Sequence, residues 1–290
     1  MDTIIGNKSQ QEGLLRALKL GHGHAFILYG PKGVGKATLI RAMAKELLQS
    51  DRLDNHPDYF EIGPDTEKER PSISIDAIRE ARQFLRLRSA TGGIKVLFIK
   101  TADAMTVSAS NALLKSLEEP PGDTRIFLSA EHAQSVLPTI RSRTLAVRFH
   151  LLEDSDIRAF LLDLGADKKS AEEITRLAHG RAGYARTLFA DAELRSAMQR
   201  RESAAIQLVN APLITRLAYS AKAENTAPEA LQELPGQWLP ALRDIVRKGD
   251  VNARVLSHNL FQALQILDAS SVRPELVLDA ALIGGIKNNE

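Results

Sequence analysis

The chain has 290 residues, of which 44% are hydrophobic and 26% charged, and it contains no cysteine. This length predicts about two or three domains with a sizeable core. The lack of cysteine excludes disulfides and thiolate metal sites, and the net charge of +2 is too small to indicate nucleic-acid binding by bulk electrostatics. The N-terminus has no secretory pattern and no run of about 18 apolar residues occurs. A cytoplasmic protein is therefore expected.

The first half of the chain alternates short apolar runs with stretches of helical periodicity. The apolar runs predict strands at 25–29, 59–62, 95–99, 125–129 and 145–149. The helical stretches lie at about 8–20, 37–49, 74–88, 106–119 and 133–140. A charged, loop-like segment occupies 65–71. The alternation predicts a mainly parallel sheet covered by helices.

A glycine-rich segment follows the first predicted strand and reads Gly30-Pro31-Lys32-Gly33-Val34-Gly35-Lys36. Strand, glycine loop and helix in this order are typical of a phosphate-binding loop (P-loop), which directs backbone N–H groups and a helix N-terminus at an anion. Gly30, Gly33, Gly35 and Lys36 are therefore the candidate phosphate-binding residues. In the usual pattern the lysine is followed by Ser or Thr, whose hydroxyl holds Mg²⁺, but this chain has Ala37.

Thr38 lies one position beyond the missing hydroxyl. It is rotated by about 100° on the helix, so we do not expect it to replace the metal ligand, but we keep it among the candidate nucleotide contacts. The pattern predicts that ATP or ADP is bound without efficient turnover. A glycine-rich turn that happens to carry a lysine is the alternative.

From Glu153 onward the sequence shows helical spacing and almost no strand-like alternation. Helices are predicted at about 157–164, 171–178, 184–194, 202–221, 227–247, 251–268 and 273–283. We expect the helical pattern to be interrupted at Pro235, Pro240 and Pro274. The predicted layout is an α/β domain at 1–150, a small helical domain at 151–200 and a helical bundle at 201–290.

Two further segments indicate the family: the run NALLKSLEEPP at 111–121 and the run IRSRT at 140–144. Together with the P-loop, with Ile4-Ile5-Gly6 and with His56-Pro57-Asp58, they resemble the clamp-loader branch of the AAA+ ATPases. Within that branch the resemblance is to the delta-prime subunits of bacterial DNA polymerase III. It covers about residues 1–195 with recognisable motifs.

The resemblance implies an α/β P-loop AAA+ domain with helices on both faces of its sheet, then a helical lid, then a C-terminal helical collar. It implies a non-hydrolysing subunit of a hetero-oligomer that loads the sliding clamp onto primed DNA during replication. The implied partners are the gamma/tau and delta subunits, and, through the assembled complex, the sliding clamp and DNA. Such a subunit belongs to the DNA polymerase III holoenzyme but has no polymerase active site of its own.

The resemblance implies that Arg143 is a catalytic residue. In the family, the arginine of a Ser-Arg-Cys motif reaches the γ-phosphate held by the neighbouring subunit, and this chain reads Ser142-Arg143-Thr144. The expected role is that of an arginine finger acting in trans; the alternative is a surface arginine paired with a carboxylate. Glu118 and Glu119 are predicted to be a solvated helix end that precedes two prolines.

The chain departs from active relatives in three places. Ala37 is the first. Active relatives follow the third strand with Asp-Glu, where this chain has Lys100-Thr101. They also carry a lid arginine where this chain has Gly183.

The sequence does not settle the roles of four further polar residues near these positions. Arg181 and Arg186 flank Gly183, and the sequence does not choose between them. Ser129 ends its strand as either a phosphate sensor or a simple strand cap, and Asp103 is not expected to replace the missing acids.

No zinc or other metal site is expected. Relatives carry a four-cysteine zinc module before His-Pro-Asp, but here only residues 50–55 bridge that interval. Without thiolates or ligand spacing, His22, His24 and His56 are interpreted as surface histidines.

Two other functions stay open. One is a catalytically active AAA+ ATPase, of gamma/tau or remodelling type, that uses an unusual metal site. The other is a DNA-binding protein acting alone, which the nearly neutral charge and the lack of a groove-reading motif disfavour.

Overall fold

The computed structural model describes residues 5–66, 71–223, 228–269 and 272–284. The chain forms two compact units, Met1–Thr187 and Leu188–Glu290. The three-domain division stays a prediction. Ile4 and part of the charged segment at 65–71 lie outside the described residues. No helix in the described ranges is both long enough and apolar enough to cross a membrane.

A five-stranded parallel sheet forms the centre of the first unit, in the order β2-β3-β4-β1-β5. Its strands are β1 Ala25–Tyr29, β2 Tyr59–Ile62, β3 Lys95–Ile99, β4 Thr124–Ala130 and β5 Leu145–Arg148. The inner strands β1, β3 and β4 are buried along nearly their whole length. This burial on both faces explains why they read as continuous apolar runs and not as alternating ones.

Helices cover both faces of this sheet, as predicted. The helices that begin in the first unit are α1 Lys8–Lys19, α2 Lys36–Leu48, α3 Ile75–Arg86, α4 Val107–Glu118, α5 Pro138–Arg141, α6 Asp154–Asp163, α7 Lys168–Ala178 and α8 Ala182–Ala190. Alternate strand residues enter two separate cores: Ile27 packs in the core that contains α3 and α4, and Phe26 in the core that contains α1 and α2. The α/β class and the parallel sheet are therefore confirmed.

The predicted helix at 133–140 is wrong in its extent. Only a three-residue 3₁₀ turn, Ala133–Ser135, and the short α5 form there. Val136 and Leu137 between them have ψ of 137°. Pro138 disfavours the helical region for the residue before it but is well suited to the first position of α5.

The second unit is helical: α9 Ala192–Val209, α10 Leu213–Ala223, α11 Pro228–Arg247, α12 Val251–Ala269 and α13 Pro274–Ile283. Its core includes Trp238, Leu242, Leu256 and Leu278, all at most 1% exposed. These side chains come from three different helices, so the unit has a core of its own.

The helix boundaries predicted at 184–194 and 202–221 are wrong. One break falls at Asp191, whose carboxylate accepts a hydrogen bond from Leu194 N at 2.9 Å and so caps α9. The other falls at 210–212, where Pro212 precedes α10. Pro235 and Pro240 were expected to interrupt the helical pattern, but both lie inside α11.

Asp58, in the His-Pro-Asp segment, anchors a loop after α3. It is fully buried, and its carboxylate accepts hydrogen bonds from Ser89 Oγ, Ala90 N, Thr91 N and Thr91 Oγ1 at 2.7–3.0 Å. Burial by itself raises the pKa of Asp58, but the hydrogen bonds from Thr91, Ala90 and Ser89 outweigh it and lower the pKa to about 2. The segment therefore has a structural role.

Asp58→Ala is expected to lower the free energy of unfolding by about 2–4 kcal/mol, because four donors lose a charged acceptor. Because the folded-state pKa is depressed, this stabilisation is present above about pH 4 and is lost as the pH falls towards 2. Urea denaturation at several pH values measures both effects. The exposed Asp51, changed to Asn, is the control; an equal loss in both variants would contradict the structural role.

Candidate functional site

The P-loop joins β1 to α2 with the backbone geometry that an anion site needs. Gly30, Gly33 and Gly35 have φ of 141°, 82° and 98°, values that glycine adopts without steric cost. Gly35 caps α2, which begins at Lys36. The first N–H groups of a helix are unpaired within it and carry partial positive charge. The loop therefore presents a backbone that suits phosphate.

Lys36 is folded back onto this loop. Its Nζ donates hydrogen bonds to Gly30 O at 2.5 Å and to Pro31 O at 2.8 Å. Burial lowers the pKa of Lys36, while the nearby carboxylates of Glu131 and Asp103 act in the opposite direction. Two of the three ammonium donors are thus engaged by carbonyl oxygens of the loop itself.

The start of α8 lies against the P-loop. Gly183 N donates a hydrogen bond to Gly33 O at 2.7 Å, and a β-carbon at Gly183 would stand 3.0 Å from that oxygen. A β-carbon at Gly33 would lie 3.4 Å from that of Arg181 and 3.5 Å from that of Tyr184. Of the two arginines that flank Gly183, Arg181 therefore lies beside the loop, whereas Arg186 is exposed on α8.

Lys100, which directly follows β3, joins a cluster of charged side chains. Its Nζ lies 3.6 Å from Glu61 Oε1. Glu61 also accepts hydrogen bonds from Arg41 Nη2 at 2.7 Å and Tyr59 OH at 2.5 Å. Burial opposes ionisation of Glu61, but the hydrogen bonds from Arg41 and Tyr59 prevail and lower its pKa. The cluster has the character of a structural ion pair network.

The two hydroxyls considered from the sequence have different surroundings. Ser129 Oγ accepts a hydrogen bond from Thr101 N at 3.2 Å, which supports the strand-cap interpretation. Thr101 has a left-handed conformation with φ of 52°, and this hydrogen bond helps to hold it. Thr38 is half-buried on the first turn of α2, beside the candidate phosphate-binding residues.

Two carboxylates lie near the P-loop lysine, and one of them was missed by sequence reasoning. Asp103 follows β3 and Glu131 follows β4; both act on Lys36 electrostatically. Asp103 Oδ2 accepts a hydrogen bond from Glu131 N at 3.0 Å, and its Oδ1 is buried without a partner among the described residues. The position of Glu131 directly after a buried strand was the available signal, since ligand sites of parallel sheets lie at the carboxyl ends of strands.

Arg143 is bound by its own chain. Its Nε donates to Glu118 Oε1 at 2.7 Å, and Nη2 contacts the same oxygen at 2.5 Å. Its Nη1 donates to Thr139 O at 3.0 Å and to Ser142 Oγ at 3.2 Å. None of the hydrogen bonds of Arg143 goes to the P-loop, whose described residues include all of 30–38. The structure thus joins the NALLKSLEEPP and SRT motifs through one ion pair.

The three histidines interpreted from the sequence as surface residues differ in their exposure. His22 is exposed, whereas His24 and His56 are half-buried. His24 Nε2 lies 2.7 Å from Leu117 O, and His56 Nδ1 accepts a hydrogen bond from Asp58 N. Within the described ranges, no three His, Asp or Glu side chains are grouped so that they could hold a metal ion.

The sequence of this chain is similar to those of DNA polymerase III subunits. The DNA polymerase III subunit delta' of Pseudomonas aeruginosa is 41% identical over 138 residues, covering 42% of this chain and 42% of that relative. The Escherichia coli subunit of the same name is 34% identical over 49% of this chain and 46% of that relative. The chain therefore matches less than half the length of these curated relatives.

A solved structure supports the fold over a longer stretch. The DNA polymerase III gamma subunit-related protein of Thermotoga maritima is 21% identical, covers 94% of this chain and 97% of its own, and has a TM-score of 0.55. At this identity the likeness concerns the fold alone. The family model described as "DNA polymerase III, delta subunit" matches residues 7–153, half of the chain. The chain therefore belongs to the DNA polymerase III delta subunit family.

Proposed function

We propose that this chain is a delta-prime-type subunit of a DNA polymerase III clamp loader. It helps to load the sliding clamp onto primed DNA in the cytoplasm, in a hetero-oligomer with gamma/tau and delta subunits. It supplies Arg143 to the ATP site of a neighbouring gamma/tau subunit. Support comes from the family match and from the relatives named delta'.

The observation that carries the proposal is the position of Arg143. Its side chain is 35% exposed and is held by Glu118, Thr139 and Ser142, and none of these contacts is to the P-loop of its own chain. An arginine that contacts a neighbour's phosphate must be accessible and must not serve its own site. The test is Arg143→Ala in a reconstituted assembly with gamma/tau and delta subunits.

The chain's own loop is proposed to hold ATP or ADP without efficient turnover. The positive-φ glycines and the N-terminus of α2 fit a phosphate group. Lys36 fits as well, because its ammonium already lies inside the loop and can exchange a carbonyl acceptor for a phosphate oxygen. The residues that would hold and use Mg²⁺ are replaced by Ala37 and Lys100, so hydrolysis lacks its metal ligands.

Lys36→Ala is expected to weaken nucleotide binding by about 10- to 100-fold, because a charge-assisted contact to phosphate is lost. Titration of the metal-free protein with a fluorescent ADP analogue measures this change. The matched control is Lys32→Ala, an exposed lysine of the same loop, for which we expect little change. A wild-type protein that shows no saturable signal would remove nucleotide binding from the proposal.

A second candidate function is intrinsic ATP hydrolysis. Asp103 and Glu131 favour it, since both carboxylates lie near Lys36 at the carboxyl end of the sheet. Steady-state phosphate release by the purified chain tests it. Turnover that is abolished by both Lys36→Ala and Asp103→Asn would support this candidate over the non-hydrolysing subunit.

A further inference from the structure

A carboxylate from the NALLKSLEEPP motif restrains the guanidinium of Arg143. Glu118 Oε1 faces both Nε and Nη2, and Thr139 O and Ser142 Oγ face Nη1. Three of the five N–H groups of the arginine thus donate hydrogen bonds, one from Nε and two from Nη1. Nη2 lies against Glu118 Oε1, and among the described residues it donates no hydrogen bond to another acceptor. The side chain is therefore held in one orientation, with Nη2 left able to donate to a ligand.

Glu118 is itself placed by a well-anchored helix. It is the last residue of α4, and Leu113 and Leu117 of that helix are at most 1% exposed in the core. Thr106 caps the other end by accepting a hydrogen bond from Ala109 N at 3.1 Å. The adjacent Glu119 is exposed, and its side chain makes no hydrogen bond in the described structure. One carboxylate of the pair is thus committed to Arg143 and the other is not.

We propose that Glu118 is a positioning residue for Arg143. This inference rests on the proposed role of Arg143 in trans. A free arginine side chain samples many rotamers, and ordering it at the moment of reaction costs rate. By holding Nε and Nη2 in advance, Glu118 presents the guanidinium in a restrained geometry. Removal of its charge then lowers the rate of the chemical step but not the affinity for ATP at the neighbouring site.

The experiment uses a reconstituted assembly in which only the ATP site next to this chain is intact. Glu118→Gln is expected to lower kcat about 3- to 10-fold, the range for loss of an exposed ion pair that acts on the transition state, with KM for ATP unchanged. Glu119→Gln is the matched control and is expected to behave as wild type. In the Arg143→Ala background, Glu118→Gln is expected to have no further effect, because Glu118 acts through Arg143.

The outcomes test the positioning role of Glu118 separately from the role of Arg143 in trans. Wild-type kcat in Glu118→Gln, or an additional loss in the Arg143→Ala background, would overturn the positioning role and leave the role of Arg143 intact. An unchanged rate in Arg143→Ala alone would overturn the proposed function. Thermal unfolding of the isolated variants separates structure from positioning: a lower midpoint for Glu118→Gln than for Glu119→Gln would assign the loss to the fold and reject the inference.

Discussion

Arg143→Ala is expected to slow ATP hydrolysis at the neighbouring gamma/tau site by about 10³-fold or more, because an arginine finger stabilises the charge that develops on the transferring phosphoryl group. The proposal places this guanidinium at the surface, held by Glu118 and not by its own P-loop. The measurement is phosphate release by an assembly that contains one intact ATP site beside this chain. Arg143→Lys keeps the charge but loses the planar fork, so it is expected to restore only part of the rate.

The control for this prediction is Arg148→Ala, because Arg148 is an exposed arginine on β5 in the same unit. It is expected to keep the wild-type rate. Size-exclusion chromatography must show that both variants enter the assembly, since a missing subunit would also lower turnover. Full activity of an assembled Arg143→Ala complex would contradict the trans role.

Gly30→Ala is expected to destabilise the first unit by about 3–5 kcal/mol. A β-carbon at Gly30 would stand only 2.2 Å from Phe149 O, and its φ of +141° is unfavourable for other residues. The clash is with backbone of a buried residue, so it cannot be relieved by rotation of a side chain. Urea denaturation followed by circular dichroism measures the change in the free energy of unfolding.

Gly92→Ala is the matched control for the glycine prediction. Gly92 also has a positive φ, +75°, but nothing lies within 4 Å of an added β-carbon. We expect it to cost about 1 kcal/mol, the strain of the left-handed conformation alone. If both variants lose the same free energy, the close approach of the loop to Phe149 is not what requires glycine at position 30.

The sequence predicted the strands of the first unit well because burial on both faces leaves a local signal. Four or five consecutive apolar residues mark β1 and β3, and the structure places both as fully or almost fully buried inner strands. Helix ends in the second half were predicted less well. Asp191 and Pro212 are clear local signals there, but the continuous apolar periodicity on either side of them obscured the breaks.

Part of the candidate site could likewise be predicted from the sequence, and part of it could not. The P-loop residues adjoin in sequence, so Gly30 to Lys36 could be assigned to one site from spacing alone. The neighbours of Lys36 could not: Glu131 is distant in the chain and comes close only because β4 pairs with β1. Its contribution depends on sheet order, which local periodicity does not specify.

By itself, the sequence determined the α/β class, the phosphate-loop backbone and the family, because each depends on residue types at short, fixed spacing. Only the tertiary structure decided the partners of the charged groups: Lys36 with loop carbonyls, Lys100 with Glu61, and Arg143 with Glu118. A side chain's partner depends on which helices and strands pack together and on the direction in which each side chain leaves its element. Residues 25 positions apart, such as Glu118 and Arg143, therefore form one unit that no short motif records.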